Sequence, residues 1–258
     1  MATETERGRF VWHELMTKDP DAAQTFYEKV VGWRTSKWDE ENNYTMWMAD
    51  ETPIGGVTSV PPEAAKMGAP PSWLAYIEVP DVDATVQDAI KLGGGVLSPA
   101  QTVPSVGRFA VLRDPQGAAF AVITSEAKLG EETDPKPREF SWHELITTDY
   151  KAADKFYSKL FGWESKSEVD MGDMGMYHMF GRDRFTYGGM FNKAADMPAP
   201  PHWMHYVKVD SADAAAERAK KAGGTVINGP MDVPGGDRIA AIVDPQGATF
   251  AVHSKATA

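Results

Sequence analysis

The segment FVWHELMTKDPDAAQTFYEKVVGW, Phe10 to Trp33, returns as FSWHELITTDYKAADKFYSKLFGW, Phe140 to Trp163, at an offset of 130 residues. The match continues well beyond this stretch. Phe26-Tyr27 corresponds to Phe156-Tyr157, Pro70-Pro71 and Trp73 to Pro200-Pro201 and Trp203, and Gly93-Gly94 to Gly223-Gly224. DPQGAAFAV from Asp114 corresponds to DPQGATFAV from Asp244. Register slips by three residues near Gly55-Gly56 and Gly188-Gly189, where a hairpin loop absorbs the difference. A period this long marks a duplicated domain and excludes a solenoid of short repeats. The polar stretch EAKLGEETDPKPRE, Glu126 to Glu139, has linker composition. The expected organisation is therefore domain 1 over residues 1–128, a linker over 129–138 and domain 2 over 139–258.

Within each repeat the order is strand, helix and two or three strands, then the same again. Phe10 to Met16 reads as the opening strand. Asp19 caps a helix whose first residue is Pro20 and which ends before Gly32. Its apolar stripe is Ala23, Phe26, Tyr27 and Val30. Tyr44 to Met48 and Gly56 to Val60 read as strands. The second round opens with Trp73 to Val79 and has a helix from Val82 to Leu92, stopped by Gly93. It closes with a hairpin of Arg108 to Arg113 and Ala118 to Ile123, turning at Asp114 to Gly117. Four βαβββ modules result.

Composition narrows the partners. With 26 Lys and Arg against 37 Asp and Glu, the net charge of -11 disfavours nucleic acid and anionic membrane. Cysteine is absent, which removes disulfides, thiolate metal sites and cysteine nucleophiles. MATETERGRF lacks the apolar core of a signal peptide, and no run suits a membrane span, so a cytoplasmic protein is expected.

A strand followed by Asp, an alanine-rich helical turn, Phe-Tyr and Gly-Trp, with DPQG before the last strand, resembles the vicinal oxygen chelate superfamily. That superfamily holds glyoxalases, bleomycin-resistance proteins and extradiol dioxygenases. The resemblance spans nearly the whole chain twice and is nearest to two-domain, glyoxalase-like proteins of actinobacteria described as glyoxalases or hydroxylases. It implies an α+β fold of tandem domains, with four βαβββ modules in half-open barrels and helices outside. It also implies a divalent metal, held by opening strands and by a Glu on a closing strand. Carried onto this chain, those positions are Trp12, Leu74, Ala121, Trp142, Met204 and Ala251. None can ligate a metal ion, so no metal and no cofactor is expected. Zn, Ni or Fe enters only if a shifted site recruits Glu14, Glu144 or His253.

Alternation along a strand puts Trp12 and Glu14 on one face and His13 on the other, with Trp142, Glu144 and His143 arranged likewise. His13 and His143 then read as core-edge histidines. Glu14 and Glu144 are candidate general bases, substrate anchors or members of ion pairs. With the hairpin turn as read, Arg113 pairs Ala118, Ala110 pairs Ala121 and Arg108 faces Ile123. Arg238 then faces His253. Arg108 and Arg238 are thus candidate anchors for an anionic ligand, or structural partners of Glu14 and Glu144. Tyr76 and Tyr206 share the inferred inner face, and the expected substrate-binding set is Trp12, Tyr76, Arg108, Trp142, Tyr206, Arg238 and His253. The three-residue slip leaves the facing of Trp47 and Phe180 open. His202 and His205 fall on opposite sides of a strand, which argues against a shared metal, and Gly93 to Gly95 is a helix end, not a phosphate cradle.

The favoured expectation is a protein that binds or converts a small oxygenated or aromatic metabolite, as a monomeric pseudo-dimer or a homodimer. The alternatives are a metal-dependent lyase, hydroxylase or dioxygenase using a shifted site, and a non-catalytic ligand-sequestering protein.

Overall fold

The computed structural model describes residues 6–39, 44–66 and 68–255. The first module is β1 (Phe10–Thr17), α1 (Pro20–Val31), β2 (Arg34–Asp39), β3 (Tyr44–Ala49) and β4 (Thr52–Ser59). A short helix, α2 (Pro62–Lys66), precedes β5 (Ser72–Glu78), α3 (Val82–Lys91), β6 (Gly95–Val103), β7 (Gly107–Arg113) and β8 (Ala119–Ser125). The second repeat supplies β9 (Phe140–Thr147), α4 (Tyr150–Phe161), β10 (Glu164–Asp170), β11 (Met176–Arg182) and β12 (Phe185–Asn192). It ends with β13 (His202–Lys208), α5 (Ala212–Lys221), β14 (Thr225–Val233), β15 (Asp237–Val243) and β16 (Thr249–Lys255). This is βαβββ four times. Strand orders are β2-β3-β4-β1-β5-β8-β7-β6 and β10-β11-β12-β9-β13-β16-β15-β14, and both sheets stay open at their edges.

The helix ends follow from local chemistry. The Ala22 N–H donates to Asp19 Oδ1 at 3.0 Å, Pro20 occupies the first turn, and Gly32 closes the helix at φ 80°, a left-handed conformation suited to glycine. Asp149 and Gly162 repeat both devices around α4. The edge strands β2, β6, β10 and β14 did not stand out in the sequence because they are largely exposed and lack apolar alternation.

Two compact units cut across the sequence repeat. One joins the first and fourth modules, Trp12–Leu74 with Pro135–Ser141 and the chain from Met204 onward; the other joins the second and third, Ala75–Asp134 with Trp142–Trp203 and the segment up to Val11. They are called the outer-module and inner-module units. In the outer-module unit α1 and α5 share a core in which Phe26, Tyr27, Trp33, Trp47 and Trp73 meet Ala215, Ala219 and Phe250. Burying a side chain such as Phe26 or Phe250 stabilises by roughly 1.5–3 kcal/mol.

The Phe-Tyr and DPQG motifs meet there. The buried Tyr27 hydroxyl donates to Asp244 Oδ2 at 3.2 Å and accepts the Trp73 indole N–H at 2.9 Å. Asp244 Oδ1 receives the backbone N–H groups of Gln246, Gly247 and Ala248, and Gln246 Oε1 receives the Thr17 hydroxyl and the Asp19 N–H. The inner-module unit has the same arrangement: Tyr157 donates to Asp114 at 3.1 Å, and Gln116 receives Thr147 and Asp149. Each repeat's tyrosine is therefore bonded to the other repeat's turn.

That turn also corrects the expected hairpin register. Asp114 Oδ1 captures the N–H groups of Gln116, Gly117 and Ala118, while the Asp114 N–H bonds the Ala118 carbonyl, which lengthens the turn by one residue. Arg113 consequently pairs Ala119 rather than Ala118, Val111 faces Ala121, and Arg108 faces Thr124 rather than Ile123. In the second repeat Arg238 faces Ser254 and Ile239 faces His253. A one-residue slip reverses the face of every side chain on the strand.

Candidate functional site

On β1, Trp12 and Glu14 converge on one tyrosine. The Trp12 indole N–H donates to Tyr44 Oη at 3.0 Å, and the Tyr44 hydroxyl bonds the Glu14 carboxylate. The inner-module unit carries a second copy. Trp142 donates to Tyr177 Oη at 2.8 Å, and Tyr177 donates to Glu144 Oε1 at 2.9 Å. Burial raises the pKa of both phenols, and the neighbouring carboxylate raises it further, so the hydroxyl proton stays in place as the donor to the glutamate.

A glycine makes room for each tyrosine. Glu14 lies beside Gly56 and Glu144 beside Gly189 in the parallel strand pairs. A Cβ on Gly56 would stand 1.9 Å from Tyr44 Oη, and one on Gly189 would stand 2.1 Å from Tyr177 Cε1. The ring has to cross the neighbouring strand to reach the carboxylate, and only a residue without a side chain lets it. Tyr44 and Tyr177 are the site residues that sequence reasoning missed. They align only after the three-residue slip, and the paired glycines were the available signal.

The other sequence-selected residues fall in different surroundings. Tyr76 is buried opposite Ala121, with its ring edge-on to Phe109 at 5.7 Å, and Tyr206 is buried opposite Ala251. Arg108 is bound in bidentate fashion to Asp83 of α3, with both contacts at 2.7 Å. Arg238 clasps Asp213 of α5 at 2.5 and 2.9 Å and also bonds Asp232. Both guanidiniums thus face helices. His253 Nε2 meets Ser141 Oγ at 2.5 Å and its Nδ1 meets Asp237 at 3.3 Å. Burial lowers its pKa, with Asp237 opposing the shift.

His13 is buried and stacked on Phe140 with ring centres 3.7 Å apart; His143 is buried and stacked on Phe10 at 3.6 Å. His205 lies edge-on to His13 at 5.2 Å. Desolvation, then the His205 ring, lower the His13 pKa well below the ordinary imidazole value. The position in the first repeat that corresponds to His205 is Ala75. His178 bonds Asp154 and Glu168, and the half-buried His202 bonds the Pro200 carbonyl.

The positions at which the resemblance places a metal do not fit one. Ala121 and Ala251 are fully buried and offer no donor, Leu74 and Met204 are buried apolar side chains, and the Trp12 and Trp142 indoles are engaged with tyrosines. Among the described residues, His13 and His205 are buried in the outer-module unit, and His143 and His178 are buried in the inner-module unit.

A model of the Glyoxalase/Bleomycin resistance protein/Dioxygenase superfamily matches residues 9–122 and again residues 140–252. The chain belongs to this superfamily. It is 34% identical to "Putative glyoxylase CFP32" of Mycobacterium tuberculosis, a match that covers 97% of this chain and 96% of that one. It is 31% identical to "Anthracycline biosynthesis protein DnrV" of Streptomyces peucetius, over 95% of this chain and 92% of that one. Among solved structures, the fold is similar to the 2,3-dioxygenase LapB of Pseudomonas sp. KL28, with TM-score 0.67 and 14% identity over 98% and 94% of the two chains. It is also similar to a Mn(II)-bound glyoxalase of Novosphingobium aromaticivorans, with TM-score 0.62 and 20% identity over 98% and 83%. Tandem βαβββ modules with open sheets are therefore the architecture of this superfamily member. No helix among the described residues is long and apolar enough to cross a membrane.

Proposed function

We propose that this superfamily member binds and converts a small oxygenated or aromatic metabolite at two sites, one for each Trp-Tyr-Glu relay. The duplicated relay is the observation that carries the reading. Glu14 and Glu144 serve as proton acceptors toward a C–H or O–H made acidic by a neighbouring carbonyl or ring. Tyr44 and Tyr177 fix the carboxylates in orientation, and Trp12 and Trp142 offer the aromatic surface for substrate beside them. The names of the relatives, a glyoxylase and an anthracycline biosynthesis protein, favour a carbonyl-bearing or aromatic metabolite. Arg108 and Arg238 are left out of the site, because aspartates of α3 and α5 already hold them.

The glutamates need no metal for this proton transfer, and the family's ligand positions carry side chains that do not bind one. His13 and His205, both buried in the outer-module unit with ring centres 5.2 Å apart, favour a second reading, a metal-dependent enzyme with a relocated centre. Elemental analysis finding about one ion per chain would select it.

The test combines a thermal-shift screen of dicarbonyl adducts, catechols and hydroxyquinones with turnover assays. A ligand at 100 times its dissociation constant adds about 2.7 kcal/mol to stability. The Glu14→Gln and Glu144→Gln double variant is expected to keep binding and lose roughly 100-fold or more in turnover. Undiminished turnover rejects the glutamates as bases. A wild-type protein that binds without turnover is a sequestering protein.

A further inference from the structure

Three residues of the outer-module unit form a hydrogen-bonded series that the relays do not use. Asp237, at the start of β15, places Oδ2 3.3 Å from His253 Nδ1 on the adjacent strand β16. His253 Nε2 lies 2.5 Å from the hydroxyl of Ser141, the second residue of β9. The Asp237 carboxylate selects the tautomer with hydrogen on Nδ1, which leaves Nε2 as the acceptor for the Ser141 proton. The Tyr206 carbonyl competes for that proton, but at 3.3 Å it is the more distant acceptor.

We propose that Ser141, His253 and Asp237 constitute a nucleophilic serine site for small esters or other activated acyl groups. Serine is a weak nucleophile until a base takes its proton, and a carboxylate that orients the base completes the arrangement. Several features adapt the three residues to this task. The His253 and Asp237 side chains keep 16% and 29% of their surface exposed, so a small reagent has access. Asp237 is itself held by Lys255 at 2.7 Å. Burial lowers the imidazole's pKa, opposed by Asp237 and aided by Lys208 and Lys255, which favours the neutral ring that can accept a proton. The first repeat has Val11, Ile123 and Gly107 at the corresponding positions, so the duplicated fold does not require this series.

In the reaction Ser141 Oγ bonds the acyl carbon while its proton passes to His253 Nε2. The bond to the leaving alkoxide breaks, and that proton leaves with it as an alcohol. Water, deprotonated by the same imidazole, then releases the carboxylic acid and restores Ser141.

Diisopropyl fluorophosphate is a suitable probe, because its phosphorus–fluorine bond breaks as a phosphorus–oxygen bond to the serine forms. The full-length protein is treated with excess reagent and analysed by intact mass and peptide mapping, with circular dichroism confirming the fold of each variant. One adduct on the Ser141 peptide is expected, absent from Ser141→Ala. Labelling is expected to slow by roughly 100-fold or more in His253→Asn and by about tenfold or more in Asp237→Asn. Folded wild-type protein with no adduct on Ser141 overturns the proposal, as does His253→Asn labelling at the wild-type rate. Neither result touches the glutamate relays, which share no residue with this site.

Discussion

Replacing Gly56 by Ala adds a single methyl group, and nearly all of its effect should come through Tyr44. The new carbon would stand 1.9 Å from Tyr44 Oη and 2.4 Å from Cζ, so the ring must leave. Its departure breaks the bond from Trp12 and the bond to Glu14. A neutral hydrogen bond is worth about 1 kcal/mol and one to a charged group about 1.5–3 kcal/mol, a combined loss of roughly 2.5–4 kcal/mol. Gly56 does not have a positive φ, so alanine also stiffens the unfolded chain and returns about 0.4–1 kcal/mol. The net cost is about 1.5–3.5 kcal/mol, or roughly 3–14 °C in Tm for a chain of this size. Urea denaturation of the four proteins in a cycle with Tyr44→Ala supplies the assay. With the ring removed, Gly56→Ala should become neutral or stabilising, so the substitution changes sign with its background. A cost of the same size in both backgrounds, or a cost below about 0.5 kcal/mol in the wild type, refutes the steric link between glycine, tyrosine and glutamate.

Arg108→Met should change stability by no more than about 1 kcal/mol, because it removes an exposed ion pair with Asp83. Ligand affinity, followed by titration calorimetry, should be unchanged. Tyr27→Phe should cost about 2–4 kcal/mol by denaturant titration, since it deprives Asp244 of a buried donor and the Trp73 indole of its acceptor. Stability should fall as pH drops below 6.5, the ordinary value for an imidazole, because the unfolded chain then takes up a proton that buried His13 declines. The loss from His13 is about 1 kcal/mol between about pH 7 and about pH 5.5. Denaturation of wild type and His13→Phe at the two pH values checks it, the variant having the shallower dependence.

Features written in local chemistry were legible in the sequence. Asp19, Pro20 and Gly32 mark the ends of α1 without reference to the rest of the fold, and the recurrence of the whole pattern gave the four modules. The strand alternation that grouped Trp12 with Glu14 also held, since both reach Tyr44. What failed depended on side chains acting over distance. The Asp114 carboxylate gathers three backbone N–H groups and lengthens its turn by one residue, which turns Arg108 toward α3. Periodicity carries no trace of that capture. Tyr44 and Tyr177 were hidden by the three-residue slip between repeats. The pairing of Tyr27 with Asp244, which links modules from different repeats, spans 217 positions and has no local signal. Ser141 and His253 lie 112 positions apart, and only the strand pairing brings them together.

The most direct test of the two relays as ligand sites is the binding stoichiometry, measured by titration calorimetry with the strongest stabilising compound from the thermal-shift screen. Wild-type protein is expected to bind two equivalents per chain. Gly56→Ala and Gly189→Ala should each bind one, because each displaces the tyrosine of one relay, and the double variant should bind none. Two equivalents bound by a folded double variant would contradict the assignment of the Trp-Tyr-Glu relays as the sites.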